Sequence, residues 1–216
     1  MSECHVIGID LSGPANASDT VVTCFLCRTD HLEHMATIHG ADDTLIGESV
    51  DSLITGGDLV VGLDAPLSYN PGGGDRAADK ELRRLLIAAG LPPGTVLVPT
   101  MTRMAYLTLR GVVVARLLQQ IQPLVRLAEV HPGGCLVLRG APPRDVASLK
   151  RDPEARVRLA SWLGEHGLRS LPADAARDDH GIAGYAAALA AWQWSLGRSV
   201  WCRPASMPFH SFDLAC

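Results

Sequence analysis

Three carboxylates stand near the C-terminal ends of three apolar segments. They are Asp10 in VIGID, Asp64 in VVGLD and Glu129 in VRLAEV. In an open α/β sheet the carboxyl ends of parallel strands form the crevice where ligands bind, so these segments would direct three acids to one place. Their mutual repulsion requires a cation, and no lysine lies near them in the sequence. Mg²⁺ or Mn²⁺ would satisfy oxygen ligands and generate a nucleophile.

A fourth candidate ligand is Asp178 or Asp179, just before the apolar segment HGIAGYAAALAAWQW. Asp178 follows the helical spacing of Ile182 and Tyr185, so it points toward the strand ends if Ile182 faces the sheet. Asp179 is turned about 100° away. The alternative is an ordinary helix cap, because an acid at a helix start is stabilised by the backbone N–H groups and the dipole.

Several basic side chains are candidates for binding a phosphate-containing substrate. Arg76 flanks a glycine loop, Arg103 and Arg110 are seven residues apart on a predicted helix, and His131 lies two residues after Glu129. Arginine can bind phosphate through paired hydrogen bonds, and a flexible lid carrying Arg76 would close over a substrate. Solvated helix faces, and a local hydrogen bond for His131, explain these residues equally well. His180 is either a ligand or exposed to solvent.

Apolar runs and helical periodicity predict the elements that position these residues. The predicted strands are residues 5–11, 20–28, 31–39, 59–63 and 124–130. The predicted helices are residues 42–54, 77–89, 102–120, 153–166 and 178–196, followed by an extended closing tail after Gly197. Strands that come first and then alternate with helices indicate the α/β class, with a mixed sheet flanked by helices on both faces.

Composition favours one compact domain over residues 1–216. The chain is 47% hydrophobic and 19% charged, and no apolar run reaches the roughly 18 residues that a membrane span needs. The first residues lack the layout of a signal peptide, so we expect a cytoplasmic protein without a membrane partner. The net charge of −4 provides no overall positive field for nucleic acid, which weakens a nuclease function without excluding it.

Six cysteines are spread through the chain, and Cys24 and Cys27 have the C-x-x-C spacing. They lie in a predicted strand, where positions three apart point to opposite faces. Two buried thiols are therefore favoured over a zinc or redox site at this pair.

An ordered set of motifs extends over nearly the whole chain. It comprises GIDLSG, VGLDAPL, Arg76-x-x-Asp79, PTMTRMAYLTLRG, EVHPG and DDHGIAGYAAALAA. With these motifs the chain resembles the domain of unknown function 429 family, described as predicted nucleases of the RNase H-like fold. The resemblance implies a five-stranded sheet whose first three strands are antiparallel and whose first, fourth and fifth strands are parallel.

The resemblance also implies a set of metal-binding acids, namely Asp10, Asp64, Glu129 and one of Asp178 or Asp179. Two Mg²⁺ or Mn²⁺ ions would then hydrolyse a phosphodiester bond of DNA or RNA. One position departs from the family pattern, because Ile182 stands where the later acid of the last motif is usual. If the chemistry depends on that acid, activity is weakened or lost, whereas it survives if Asp178 supplies the ligand.

Two other functions remain open at this point. A catalytically inactive relative would use the same groove to bind nucleic acid or protein, and Ile182 and the acidic net charge favour it. The other function is that of a small-molecule phosphotransferase of the sugar-kinase or actin-like type. The lack of a recognisable nucleotide-binding glycine motif outside the first hairpin argues against it.

Overall fold

The structure is a computed structural model that describes residues 3–52 and 57–216. Residues 53–54, the end of the first predicted helix, and residues 1–2, at the start of the chain, lie outside the described residues. Five strands of five to eight residues form the centre of one mixed sheet. They are β1 (Cys4–Asp10), β2 (Val21–Cys27), β3 (Leu32–His39), β4 (Asp58–Asp64) and β5 (Arg126–Val130).

The directions of these five strands agree with the prediction. β1 pairs antiparallel with β2 and parallel with β4, β2 pairs antiparallel with β3, and β4 pairs parallel with β5. The carboxyl ends of β1, β4 and β5 therefore lie at one edge of the sheet. The acids that end these strands are brought to the same edge.

The predicted total of five strands was wrong, because the described residues form an eight-stranded sheet. The three additional strands have two residues each: β6 (Leu168–Arg169), β7 (Cys202–Arg203) and β8 (Leu214–Ala215). The strand order is β6-β3-β2-β1-β4-β5-β8-β7, so β5 is not an edge strand. Two residues are too few to show alternation in a sequence, and their pairing is decided by tertiary contacts.

Helices cover both faces of the sheet, as predicted. On one face lie α1 (Asp43–Ser52) and α3 (Arg103–Ile121). The other face carries α2 (Ala77–Ala88), α4 (Pro132–Leu138), α5 (Pro143–Ser148), α6 (Pro153–Glu165) and α7 (Asp179–Ser195). The sequence pattern missed α4 and α5, because seven and six residues are fewer than the window of about 11–18 residues in which helical periodicity is recognised. Among the described helices, none has the length and apolar character required to cross the bilayer.

Helix α7 lies directly on β1 and β4, and glycines make this possible. A Cβ atom at Gly8 of β1 would overlap the backbone oxygen of Gly184, and one at Gly62 of β4 would lie 2.5 Å from the oxygen of Ala187. Glycine is needed where two backbones approach this closely. The first turn of α7 consequently reaches the carboxyl end of β1, where His180 contacts Asp10.

Candidate active site

A cleft of about 340 Å³ opens at the carboxyl ends of β1, β4 and β5. Three of the acids predicted from the strand ends line it together, and four basic side chains line it with them. The acids are Asp10, Asp64 and Glu129, and the bases are Arg76, His131, Lys150 and His180. The cleft is thus the place where the three strand-end acids meet.

Asp10 and Asp64 form the centre of the cleft. They are direct partners in the parallel register of β1 and β4. Burial raises the pKa of Asp64 well above its usual value, and the charge of Asp10, a hydrogen bond to Asp10 and the charge of Glu129 raise it further, while Lys150 acts in the opposite direction. Two carboxylates this close cannot both ionise freely, so Asp64 holds a proton or requires a cation.

His180 is the direct partner of Asp10. Its Nδ1 lies 2.6 Å from Asp10 Oδ2. This hydrogen bond raises the pKa of His180 to about 9 against the opposing effect of burial, and the charges of Asp10, Asp179 and Asp19 add to it. The imidazole is therefore protonated at neutral pH and donates to Asp10. Of the two sequence hypotheses for His180, ligand or solvent-exposed group, neither anticipates this ion pair.

Glu129 is held by a buried arginine. Arg76 Nη1 donates to Glu129 Oε2 over 2.8 Å, its Nη2 donates to Oε1, and the backbone N–H of Leu67 donates to Oε2 over 2.9 Å. Arg76 also binds Asp79 over 2.7 Å. Burial opposes the charge of Arg76, but hydrogen bonds and charges of Glu129 and Asp79 raise its pKa above the ordinary value. The side chain of Arg76 is only 6% exposed, so these contacts hold it in one position at the side of the cleft.

The two acids at the start of α7 do not face the pair at the centre of the cleft. Asp178 is the N-cap of α7, with its Oδ1 accepting the N–H of Gly181 over 2.7 Å. Its other oxygen lies 3.4 Å from His39 Nδ1. Asp179 is the first residue of α7, and its charge acts on His180. Asp178 therefore acts as a helix cap, which was the alternative to metal binding considered from the sequence.

Arg103 and Arg110 lie in different environments although both are on α3. Arg103, the first residue of the helix, is exposed. Arg110 is buried on the opposite face of the sheet from α7, where it pairs with Asp43 over 2.8 Å and donates to Ser12 O and Thr20 Oγ1. Arg110 thereby ties α3 to α1 and to the loop that follows β1.

His131 lines the cleft, but both ring nitrogens already have partners. Its Nδ1 accepts the N–H of Gly134 over 2.9 Å and caps α4. The proton must then be on Nε2, which lies 3.3 Å from the carbonyl oxygen of Thr95. Burial lowers the pKa of His131. The ring is thus neutral, and its contacts match the local hydrogen bond considered as the alternative from the sequence.

Lys150 is the cleft residue that sequence reasoning missed. It follows α5 and is far in sequence from each acid, yet it lines the cleft and its charge lowers the pKa of Asp64. Lys150 is exposed, so its ammonium group remains free to meet a substrate anion. In the sequence, Lys150 is distinguished only by its residue type, because Lys150 and Lys80 are the two lysines among 19 basic residues.

The donor set suits one hard divalent cation better than a pair of ions. In the part of the chain that the structure describes, no group of three or more His, Cys, Asp and Glu side chains is arranged to hold a metal ion. Glu129 is paired with Arg76, whereas Asp10, which also contacts His180, lies opposite Asp64 in the strand register. Mg²⁺ is commonly bound by one or two carboxylates, with waters and substrate phosphates completing its shell. Asp10 and Asp64 fit such a site.

These features define an α/β protein with a cleft, lined by both acidic and basic side chains, at the carboxyl ends of its parallel strands. A family model described as "Protein of unknown function (DUF429)" matches residues 8–207, so the chain belongs to this family. No curated protein and no solved structure matches the chain.

Proposed function

We propose that this protein is a divalent-metal-dependent phosphodiesterase that acts on nucleic acid and has the RNase H-like fold. The observation that carries the proposal is the register of β1 and β4, which sets Asp10 opposite Asp64 at the end of two parallel strands. Paired carboxylates in this position are suited to hold Mg²⁺ or Mn²⁺ beside a phosphate.

The strand pairing supports the fold proposed here. The family resemblance implies an RNase H-like sheet whose first three strands are antiparallel and whose first, fourth and fifth strands are parallel. The pairings of β1 to β5 have these directions. The short strands β6, β7 and β8 extend the sheet at its two edges, so they leave this central arrangement intact.

The side chains of the cleft have distinct roles in this proposal. Bound Mg²⁺ or Mn²⁺ would polarise the phosphoryl group and favour ionisation of the attacking water. Asp10 and Asp64 would hold the cation. His180, protonated at neutral pH through its contact with Asp10, orients that carboxylate and can donate a proton to the leaving oxygen.

The remaining groups shape the cleft and attract the substrate. Lys150 supplies a free positive charge for a phosphate oxygen. Glu129, fixed by Arg76, keeps a negative charge near Asp64 and raises its pKa. The additional negative charge makes binding of a cation between Asp10 and Asp64 more favourable.

A catalytically inactive binding module is the second candidate, and a specific observation favours it. Ile182 stands where the family usually has an acid, and its side chain is completely buried in the core. Because Glu129 is also paired with Arg76, two positions that would hold a second metal ion are occupied by other interactions. Such a module would bind nucleic acid in the cleft without cleaving it.

A cleavage assay distinguishes the two candidates. Fluorescently labelled single-stranded, duplex and hairpin DNA and RNA would be incubated with the protein in Mg²⁺, Mn²⁺ or EDTA. We expect cleavage of at least one substrate that requires the metal and is lost in Asp64→Asn. Asp51→Asn, at an exposed position of α1, is the matched control and should cleave at the wild-type rate.

Either of two results would overturn the proposal. One is metal-dependent cleavage that continues unchanged in Asp64→Asn, which would mean that another site or a contaminant is responsible. The other is binding of the labelled strands, measured by fluorescence anisotropy, without cleavage in any condition. That result would establish the binding module instead.

A further inference from the structure

Two cysteines face each other across the first hairpin, at the end of β1 opposite to the cleft. The register of the antiparallel pair places His5 opposite Leu26, and the next position outward places Cys4 opposite Cys27. Directly opposed residues in antiparallel strands have Cα atoms about 4.5–5.5 Å apart. This spacing lies inside the range of about 4.4–6.8 Å that a disulfide requires.

The two thiols are neighbours that influence each other's pKa, and both are partly accessible. The neighbouring thiol of Cys27 lowers the pKa of Cys4 despite burial and the charge of Asp58, and Arg126 lowers it further. The Cys4 thiol and burial raise the pKa of Cys27. Both side chains are half-buried. Cys4 is therefore the sulfur better prepared to act as a nucleophile.

Cys24, the other member of the C-x-x-C motif, is separated from this pair. Cys24 is buried in the core on the α1 and α3 side of the sheet, whereas Cys4 and Cys27 pack against the core on the α7 side. This agrees with the expectation that Cys24 and Cys27 point to opposite faces. The partner of Cys27 comes from the neighbouring strand, and the motif spacing gave no indication of it.

We propose that Cys4 and Cys27 form a reversible cross-strand disulfide, which makes this end of the hairpin a site of redox modification. The oxidant is a small-molecule disulfide. The Cys4 thiolate attacks one sulfur of the oxidant, forming a mixed disulfide and releasing one thiolate. The Cys27 thiol loses its proton and attacks the Cys4 sulfur, releasing the second thiolate. Two protein thiols are oxidised, and the oxidant leaves as two thiols that take up the two protons.

The expected effect of the disulfide is on stability, with the cleft left unchanged. The bond would join the first residue of β1 to the last residue of β2, while Asp10 lies at the other end of β1. Closing a loop of this size restricts the unfolded chain, and for a protein of this length we expect Tm to rise by roughly 5–10 °C. This inference does not depend on the proposed function.

Peptide mapping tests the proposal directly. The full-length protein would be incubated with oxidised glutathione, its remaining thiols blocked with N-ethylmaleimide, and the digest analysed by mass spectrometry without reduction. The digest would use chymotrypsin, because the chain has no Lys or Arg before Arg28 and only a cut after Phe25 or Leu26 separates Cys27 from Cys24. We expect a linked peptide pair containing Cys4 and Cys27 that disappears after dithiothreitol. Cys4→Ala and Cys27→Ala should each leave the remaining cysteine as a glutathione adduct, and Cys202→Ser, at a half-buried position of β7, should still form the pair.

The wild-type digest alone decides the matter, so a variant that folds poorly does not obscure the result. Recovery of Cys4 and Cys27 only as blocked thiols, or only as separate glutathione adducts, would overturn the proposal. So would a link from Cys27 to Cys24. A rise of Tm on oxidation that is seen in the wild type and absent in Cys4→Ala would support it further.

Discussion

Asp10 and Asp64 lie directly opposite each other in the parallel register of β1 and β4. Without a cation, a negative charge on one carboxylate opposes ionisation of the other. Burial and the charge of Asp10 therefore raise the pKa of Asp64. A group whose folded pKa is raised costs stability as pH rises above its unfolded pKa, because only the unfolded chain can then release the proton freely. At pH 7–8 the metal-free protein therefore carries this cost.

Asp64→Asn should stabilise the metal-free protein at pH 8. The amide removes the charge that Asp10 opposes while keeping the shape of the side chain. We expect Tm to rise by roughly 2–4 °C, equivalent to about 1 kcal/mol for a chain of this size. Differential scanning calorimetry in EDTA would measure it, with Asp51→Asn as the control. An equal or lower Tm for Asp64→Asn would contradict the repulsion.

The contact of His180 with Asp10 should stabilise the fold in a pH-dependent manner. Because the folded pKa of His180 is raised to about 9, this stability is fully present below the unfolded pKa of about 6.5 and is lost as pH rises through the folded value. The side chain is 34% exposed, so we expect only about 1 kcal/mol. Urea unfolding of the wild type and His180→Gln should differ more at pH 6 than at pH 9.5. The same difference at both pH values would refute the ion pair.

Arg76 should be far more important for stability than Arg83, although both bind carboxylates near α2. Arg76 is buried between Glu129 and Asp79, so Arg76→Met leaves two buried negative charges unpaired and should cost about 3–5 kcal/mol. Arg83 is half-buried, pairs with Asp75 and donates to the carbonyl oxygen of Val96, so Arg83→Met leaves no fully buried charge unpaired and should cost only about 1–2 kcal/mol. Chemical denaturation would compare them. Equal losses of unfolding free energy would show that Arg76 with its two carboxylate partners contributes no more to stability than Arg83 does.

Neutral His131 should make the protein less stable in mild acid. Its folded pKa is lowered by burial, so the unfolded chain binds a proton first and stability falls as pH drops below about 6.5. His131→Asn keeps a side-chain acceptor for the N-cap of α4 but removes the titration. The variant should lose less stability than the wild type between pH 7 and pH 5, measured by urea unfolding. A parallel loss in both proteins would argue against a buried, neutral His131.

The sequence predicted the long elements well because their patterns are local. Alternation and apolar runs identify β1 to β5, and helical periodicity identifies α1, α2, α3, α6 and α7. The short strand β8 (Leu214–Ala215) exists because it pairs with Glu129 and Val130 of β5, a contact between residues more than 80 positions apart. No local pattern encodes such a pairing, which explains why the strand count was underestimated.

The candidate site was predictable in its position and less so in its partners. Strand-end carboxylates indicate where Asp10, Asp64 and Glu129 meet, because strand direction fixes which edge they occupy. Their counter-charges come from other parts of the chain: Arg76 from the residue before α2, Lys150 from the residues after α5 and His180 from α7. Only tertiary packing brings these basic residues next to the acids. Residue spacing in the sequence therefore cannot show which basic side chain contacts which acid.

Binding of Mn²⁺ tests the central claim most directly, because it requires no assumption about the substrate. Isothermal titration calorimetry would compare the wild type, Asp64→Asn and the control Asp51→Asn at pH 7.5. We predict saturable binding of one Mn²⁺ by the wild type and by Asp51→Asn, and loss of that binding in Asp64→Asn. Absence of binding to the wild type, or unchanged binding to Asp64→Asn, would contradict a metal site formed by Asp10 and Asp64.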